Sequence, residues 1–278
     1  MKNNVKRVLL YLAVLCLVFS ACGSKDKGGN ETPTPPTSKG VSFKVMTYNL
    51  WASREGNLTE QKLKDMAEVI KRADPDLIAM QEVDVNTRRN PIDVPKKLAE
   101  LTGMQYHFFA KAMDYQGGQY GEAVLSKLPF KETKAYSLGT LSEYPGEQRA
   151  MARVTVEKEG KEIYFIGTHL DHEYEPNRIQ QAKDIVNILK TYDKPVILGG
   201  DLNSLPDSEP ILTLRGYLTW GCLNNTCPMT FPANSPNRTI DFLMYAPANA
   251  FSVQGYQAYK WDPQASDHLP VLAVFTVK

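Results

Sequence analysis

The chain has 278 residues, of which 42% are hydrophobic and 23% charged, so it can bury a substantial core and is not a wholly disordered polymer. Its 32 Lys and Arg almost balance 31 Asp and Glu, and no global charge excess points to nucleic acid or to an acidic surface.

At the amino terminus, Lys2, Lys6 and Arg7 precede an apolar run over residues 8–19, which has the length of a signal-peptide core and is short for a membrane span. Ser20 and Ala21 then lead to Cys22, similar to a bacterial lipobox but with Phe19 in place of the usual Leu. Residues 1–21 are therefore expected to be a leader cleaved on export, with lipid attached to Cys22; an ordinary secretory signal with an incidental cysteine is the alternative. Such cleavage removes three of the 32 cations and none of the 31 acids, leaving 29 against 31. Residues 23–40, GSKDKGGNETPTPPTSKG, offer almost nothing to bury and read as an extended tether. The expected location is a bacterial membrane, periplasmic or cell-surface, reached through the lipid on Cys22.

From residue 41 to 278 there is no internal repeat and no second linker, so one domain is expected. Strands are predicted over 42–50, 76–81, 150–156, 163–168, 195–199, 239–245 and 271–277, each short, rich in β-branched or aromatic residues, and bounded by turn formers. Leu63, Met66, Ala67 and Ile70 follow helical spacing, with Asn57 and Glu60 placed as a capping box. Ile179, Ala182, Ile185, Val186 and Leu189 mark a second helix that begins at Pro176, and a weaker one covers 94–101 and stops at Gly103. Both stripes read as core packing. Helices alternating with strands early and strands clustering later suggest an α/β or α+β sandwich. Cys222 and Cys227, close together in GCLNNTC, are placed for a short disulfide loop in an oxidising compartment; a metal pair or two buried thiols are the alternatives.

Several polar residues end apolar strands. Asn49 closes VMTYNL, Glu82 follows DLIAMQ, and Asp201 and Asn203 follow VILGG; sites built at strand ends require this pattern, although Asn and Asp are also common turn formers. His169 closes YFIGTH with His172 just after it, and His268 follows Asp267 in SDHLP. Neighbouring residues of an extended segment face opposite ways, so Asp267 and His268 are suited to different partners, a cation and a phosphate. Glu82, Asn49 and Asp267 offer hard oxygen ligands, which suit magnesium or manganese rather than zinc. Asp201 and Asn203 can hold an attacking water, and His169 and His268 can donate to phosphate oxygens or a leaving group. Asp241, inside the apolar TIDFLMY, is costly unless paired, and imidazole is a natural partner. The set describes hydrolysis of a phosphate ester; no G-x-S-x-G elbow, P-loop or G-x-G-x-x-G occurs.

TYNL, MQEVD, GEAVLSKLP, GTHLDH, GGDLNS, TIDFLMY and SDHLP occur in that order, and the chain resembles the endonuclease/exonuclease/phosphatase superfamily, deoxyribonuclease I-like, across nearly the whole globular part. The resemblance implies a four-layer α/β/β/α sandwich and a metal-dependent phosphoesterase. It implies Glu82 as principal metal ligand, with Asn49 and Asp267 nearby. Asp201 and Asn203 would position water, metal or phosphate, and His268, oriented by Asp241, would contact the scissile phosphate. His169 would be the second histidine, Glu122 its orienting carboxylate, and Arg149 a phosphate-binding arginine or else a surface ion pair.

The shared motifs read the phosphate and leave the rest of the substrate open. A nuclease acting on DNA or RNA is one alternative, and a non-catalytic surface-binding lipoprotein on the same fold is another. Loops at 88–93, 114–120, 141–148 and 218–238 are the expected specificity elements, with Tyr115, Tyr120, Tyr144 and Trp220 as candidate stacking residues. No lysine-arginine stripe suits an extended duplex, and a monomer acting on a small or flexible ester is expected.

Overall fold

A computed structural model describes residues 40–52 and 58–278. The expected leader and Cys22 lie outside the described residues, as does Asn57. Helix α1 (Glu60–Ala73) is capped instead by Thr59, whose side chain accepts from the Lys62 amide, so Glu60 opens the helix rather than closing a capping box.

Twelve strands form two six-stranded sheets. The first holds β1 (Val41–Asn49), β2 (Leu77–Val85), β3 (Tyr106–Tyr115), β4 (Gly118–Ser126), β11 (Phe251–Ala258) and β12 (Val271–Val277), in the order β11-β12-β1-β2-β4-β3. The second holds β5 (Phe130–Leu138), β6 (Arg149–Lys158), β7 (Lys161–His169), β8 (Val196–Asp201), β9 (Thr219–Trp220) and β10 (Asp241–Ala246), in the order β5-β6-β7-β8-β10-β9. The remaining helices are α2 (Val94–Thr102), α3 (Glu175–Leu189) and α4 (Glu209–Arg215).

Alternation along each strand sends successive side chains to opposite faces. Phe43, Val45, Leu77, Phe165, Ile197 and Leu243 meet between the sheets. Met46, Tyr48, Ile78 and Met80 face outward onto Leu63, Met66 and Ile70 of α1 and Leu98 of α2. Ile166, Leu198, Phe242 and Met244 meet Ala182, Ile185 and Leu189 of α3 and Leu214 of α4. The result is the expected α/β/β/α sandwich in a single domain.

The sheets approach closely where small residues face each other. A Cβ on Gly199 would lie 3.1 Å from Thr47 Cβ and 3.3 Å from Ala79 Cβ, and one on Gly167 would lie 3.2 Å from Ala79 Cβ. This approach sits just before the carboxyl ends of two parallel pairs, β1/β2 and β7/β8, where Asn49 aligns with Gln81 and His169 with Asp201. β10 runs antiparallel to β8 and starts at the same edge, placing Asp241 opposite Asp201. Polar strand ends from both sheets thus converge at one rim.

Residues 114–120 are not an open loop. They form the tip of the β3–β4 hairpin, turning at Gln116 (φ 47°) and Gly117 (φ 83°), both left-handed as a type I′ hairpin requires. Cys222 and Cys227 are joined as a disulfide, with Cα atoms 5.0 Å apart.

Candidate active site

The converging strand ends line a cleft of about 550 Å³ that includes Glu82, Tyr120, Glu147, Arg149, His169, His172, Asp201, Asn203, Phe231, Arg238, Asp267 and His268. Two of its walls depend on unusual backbone. Glu82 adopts φ 55° where the β2–β4 register shifts between Met80 and Val83, and Asn203 adopts φ 45°. Left-handed conformation in a residue with a Cβ costs on the order of 1 kcal/mol or more; here the bulge leaves Gln81 buried, accepting from Thr47 Oγ1 at 3.2 Å, and lets the next side chain, Glu82, line the cleft.

Asp201 is the hub. Its Oδ1 accepts from the Asn203 amide at 2.9 Å, while Oδ2 accepts from Asn49 Nδ2 at 3.0 Å and lies 3.5 Å from His169 Nε2 and 3.7 Å from His268 Nε2. Burial pushes this carboxyl up to about 7, against the pull of the His268 charge. Asp241 gives both oxygens to His268 Nδ1, at 3.1 and 3.0 Å. Burial alone would lower the His268 pKa, but Asp241 and then Asp201 outweigh it and push it up to about 10, so this ring is a cation at neutral pH. Phe231 packs against it with ring centroids 4.7 Å apart.

His169 has the opposite character. Burial, then the neighbouring Arg149 and His268 charges, hold it well below the ordinary histidine value. Arg149 Nη1 lies 3.1 Å from its Nδ1, and Nε2 lies 3.5 Å from Asp201 Oδ2. The Asn203 side-chain amide lies 2.9 Å from that Nε2.

Two expected roles change. Arg149 was expected at the substrate phosphate or on the surface; it is 1% exposed, with Nη1 on Tyr120 Oη at 3.3 Å and on His169, and Nη2 2.9 Å from Glu147 Oε2 and 3.1 Å from His172 Nδ1. It braces the histidines while also lining the cleft. Glu122 was expected to orient His169, but no hydrogen bond joins them; neither of its oxygens meets a side-chain partner, and burial pushes it up to about 8. Asn49 also behaves unexpectedly. Its Nδ2 donates to Glu82 Oε1 at 3.2 Å and to Asp201, while its Oδ1 accepts from the Trp51 amide at 2.9 Å. In this geometry Asn49 holds two carboxylates in place, with its oxygen turned to the backbone.

The donor chemistry fits a hard divalent cation between Glu82 and Asp267. Asp267 Oδ1 is buried with no hydrogen-bond partner, and burial and then the nearby Glu82 charge push this carboxyl up to about 6, His268 opposing. A second cluster, Asp201, Asp241 and His268, also has ligand atoms within 4.8 Å of one another. It fits less well, because Asp241 is committed to His268 and a protonated imidazole offers no lone pair.

Sequence reasoning placed Glu147 and Arg238 only within the expected specificity loops 141–148 and 218–238 and gave His172 no role, so none was singled out as a cleft residue. They lie on loops, where no period marks them; only the position of His172 in GTHLDH was a signal. Of the four candidate stacking residues only Tyr120 lines the cleft. Tyr115 lies under Arg89 at 4.5 Å, Tyr144 packs on Tyr174 at 5.7 Å, and Trp220 is covered by Arg215 at 4.1 Å.

Fold and site together define an α/β/β/α sandwich with carboxylates and histidines gathered at one rim of its paired sheets. The signature of the Endonuclease/Exonuclease/phosphatase family matches residues 46–268, and the chain belongs to that family, whose members include phosphoesterases. It is 22% identical to Sphingomyelinase C 2 of Leptospira interrogans over 89% of this chain and 48% of that one. It is 28% identical to the 5'-tyrosyl-DNA phosphodiesterase of Caenorhabditis elegans over 69% of this chain and 51% of that one. The chain thus spans about half the length of these two relatives. The crystal structure of an endonuclease/exonuclease/phosphatase from Beutenbergia cavernae superposes with a TM-score of 0.71 at 23% identity, covering 85% of this chain and 72% of that one.

Proposed function

We propose that the protein is a divalent-cation-dependent phosphoric ester hydrolase, cleaving a phosphodiester or phosphomonoester by in-line attack of water. The observation that carries this is Asp201: one oxygen fixed by backbone, the other turned toward two imidazoles of opposite protonation, and a pKa brought near neutrality. A general base works best there. Asp201 takes the proton of the attacking water. His268, kept cationic by Asp241, faces the cleft with Nε2 and donates to a phosphate oxygen or the leaving oxygen. His169, with Nε2 beside Asp201 and the Asn203 side-chain amide, lines the cleft next to the charge that builds on the phosphorane. Asn49 and Asn203 hold the carboxylate and imidazole in register.

The cation belongs with Glu82 and Asp267, magnesium or manganese by ligand type. When bound, it would offset phosphate charge and polarise its oxygens. The cleft's own charge supports the need for it: Glu82, Glu147, Asp201 and Asp267 line it against the guanidiniums of Arg149 and Arg238. Even with His268 charged, the balance remains negative and repels a bare phosphate.

Glu82→Ala should retain its fold and lose more than about a hundredfold in kcat/KM, measured against a panel of nucleic acid, sphingomyelin, and sugar and inositol phosphates with magnesium or manganese. Full activity in that variant, or in wild type with EDTA, would sink the reading. A nuclease would stand out by cleaving DNA or RNA, and a binding module by cleaving nothing.

Export and lipid attachment at Cys22 form part of the same proposal, resting on Lys2, Lys6, Arg7 and the small residues before the cysteine. Cys22→Ala should move the protein from the membrane pellet to the soluble fraction of a bacterial host. Unchanged pelleting would count against lipidation.

A further inference from the structure

The cleft has one wall without an assigned task. His172, with 55% of its side chain exposed, and Glu147, 37% exposed, stand at the mouth beside the buried Arg149. Arg149 Nη2 reaches both, 3.1 Å from His172 Nδ1 and 2.9 Å from Glu147 Oε2. Because Arg149 only donates, His172 Nδ1 is an acceptor and the ring's proton sits on Nε2, at the far side of the ring from the brace. The wall therefore presents a fixed N–H donor next to a carboxylate acceptor.

That pairing is selective. Hydroxyl groups both donate and accept, so those of one molecule can meet the donor and the acceptor. A second phosphate or a carboxylate would be repelled by Glu147. A nucleobase needs an open aromatic face, and apart from His172 itself the cleft offers little of one: Arg238 lies over Phe231 at 4.7 Å, Phe231 packs on His268, and Arg89 lies over Tyr120 at 5.4 Å.

We propose that His172 and Glu147 read hydroxyl groups on the alcohol esterified to the phosphate, so that the site takes the phosphate ester of a sugar or another polyol. This rests on the phosphoesterase reading above and narrows its substrate class. His172 is then a specificity-determining residue, and Arg149 positions it.

The experiment compares kcat/KM for glucose 6-phosphate against phenyl phosphate, and for glycerophosphoglycerol against bis-p-nitrophenyl phosphate, each with magnesium or manganese. In His172→Ala the ratio of polyol to aryl ester should fall about tenfold, the size of one lost hydrogen bond to a substrate hydroxyl, chiefly through KM. His172→Gln, which keeps a donor near the Nε2 position, should recover part of that ratio, and His172→Phe should recover none. A ratio unchanged within twofold in His172→Ala overturns the proposal even if both rates drop together, because that is what a merely structural role produces. Wild type that cleaves the aryl esters but neither polyol ester, or that prefers a long-chain lipid ester or an oligonucleotide to both, also overturns it. Wild type that cleaves no ester with either cation overturns the phosphoesterase reading itself.

Discussion

Glu122 lies inside β4 with neither carboxylate oxygen hydrogen-bonded to a side chain, and burial pushes it up to about 8 from an ordinary 4.5. A carboxyl raised on folding makes stability depend on pH in a fixed direction. The unfolded chain releases this proton near 4.5 while the folded chain holds it to about 8. The contribution is therefore complete below the lower value, declines across that window, and is gone above it. Glu122→Gln keeps the shape and removes the titration. In urea unfolding from pH 5 to 9 the variant should match wild type at the acid end and exceed it by a few kcal/mol at the alkaline end. A pH-independent difference, or a variant less stable at pH 9, would make Glu122 an ion partner of Arg149 instead. That neighbour is held for another reason: its guanidinium ties His169, His172, Glu147 and Tyr120 together. The resemblance marked Arg149 as a phosphate-binding arginine or else a surface ion pair, and its buried bracing contacts were not legible in one dimension.

Between β5 and β6 the chain carries the wall of the cleft, and the start of α3 clasps it. Asn177 accepts from the Leu141 amide at 2.9 Å and donates to Tyr144 O at 2.9 Å and to Asp171 Oδ2 at 3.0 Å. Gln181 bridges the Asp171 amide and Gly139 O, at 2.9 and 3.2 Å. The fit is tight enough that a Cβ on Gly146 would sit 1.9 Å from Asp171 Oδ2 and 2.9 Å from Asn177 Nδ2. Gly146→Ala must therefore push the loop outward, taking Glu147 with it. The expected result is a loss of about 1–3 kcal/mol in stability and a KM that rises more than kcat falls; an unchanged melting temperature and KM would show that the clasp yields freely. Elements such as this loop were poorly legible. β1, β6, β7, β8 and β12 announce themselves by β-branched runs buried on both faces, and α1 and α3 by their stripes. β5, FKETKAYSL, is an edge strand exposed along most of its length, so selection for burial left little pattern. β3 and β4 were hidden by reading the QGG turn as a loop, and α4 is seven residues long, too short for a period. Strand-terminal Asn49, His169 and Asp201 were legible because a polar residue closing an apolar strand has few structural reasons to be there. Glu82, at the bulge inside β2, and His268, in the segment before β12, stood out instead by following an apolar run and an aspartate. The loop residues Glu147, His172 and Arg238 carried no such contrast.

At the scale of the whole molecule, two sheets present their strand ends at one rim, and the charge gathered there has to be balanced. Glycines at 167 and 199 let the sheets close, which brings Glu82 from one and Asp201 from the other into the same cleft. Burial, and after it repulsion from the neighbouring carboxylates Asp241 and Glu82, is a cost carried by the fold without a cation, expressed in the raised values of Asp201, about 7, and Asp267, about 6. A divalent cation that relieves it binds the folded chain and not the unfolded one, so it should stabilise by about 2.7 kcal/mol at a hundredfold excess over its Kd. For a domain of this size that is roughly 5–10 °C in melting temperature. Protons compete for the same oxygens, and the shift should shrink as pH falls through about 6, where Asp267 takes up its proton. Sodium chloride at matched ionic strength screens without coordinating and should give far less. Glu82→Ala and Asp267→Asn should each lose most of the magnesium or manganese shift while keeping their response to sodium. Equal shifts in wild type and both variants would place the ion elsewhere. No shift with either cation from pH 5 to 8 would leave the acidic rim without the partner its charge demands, and the proposed hydrolysis without the countercharge its phosphate needs.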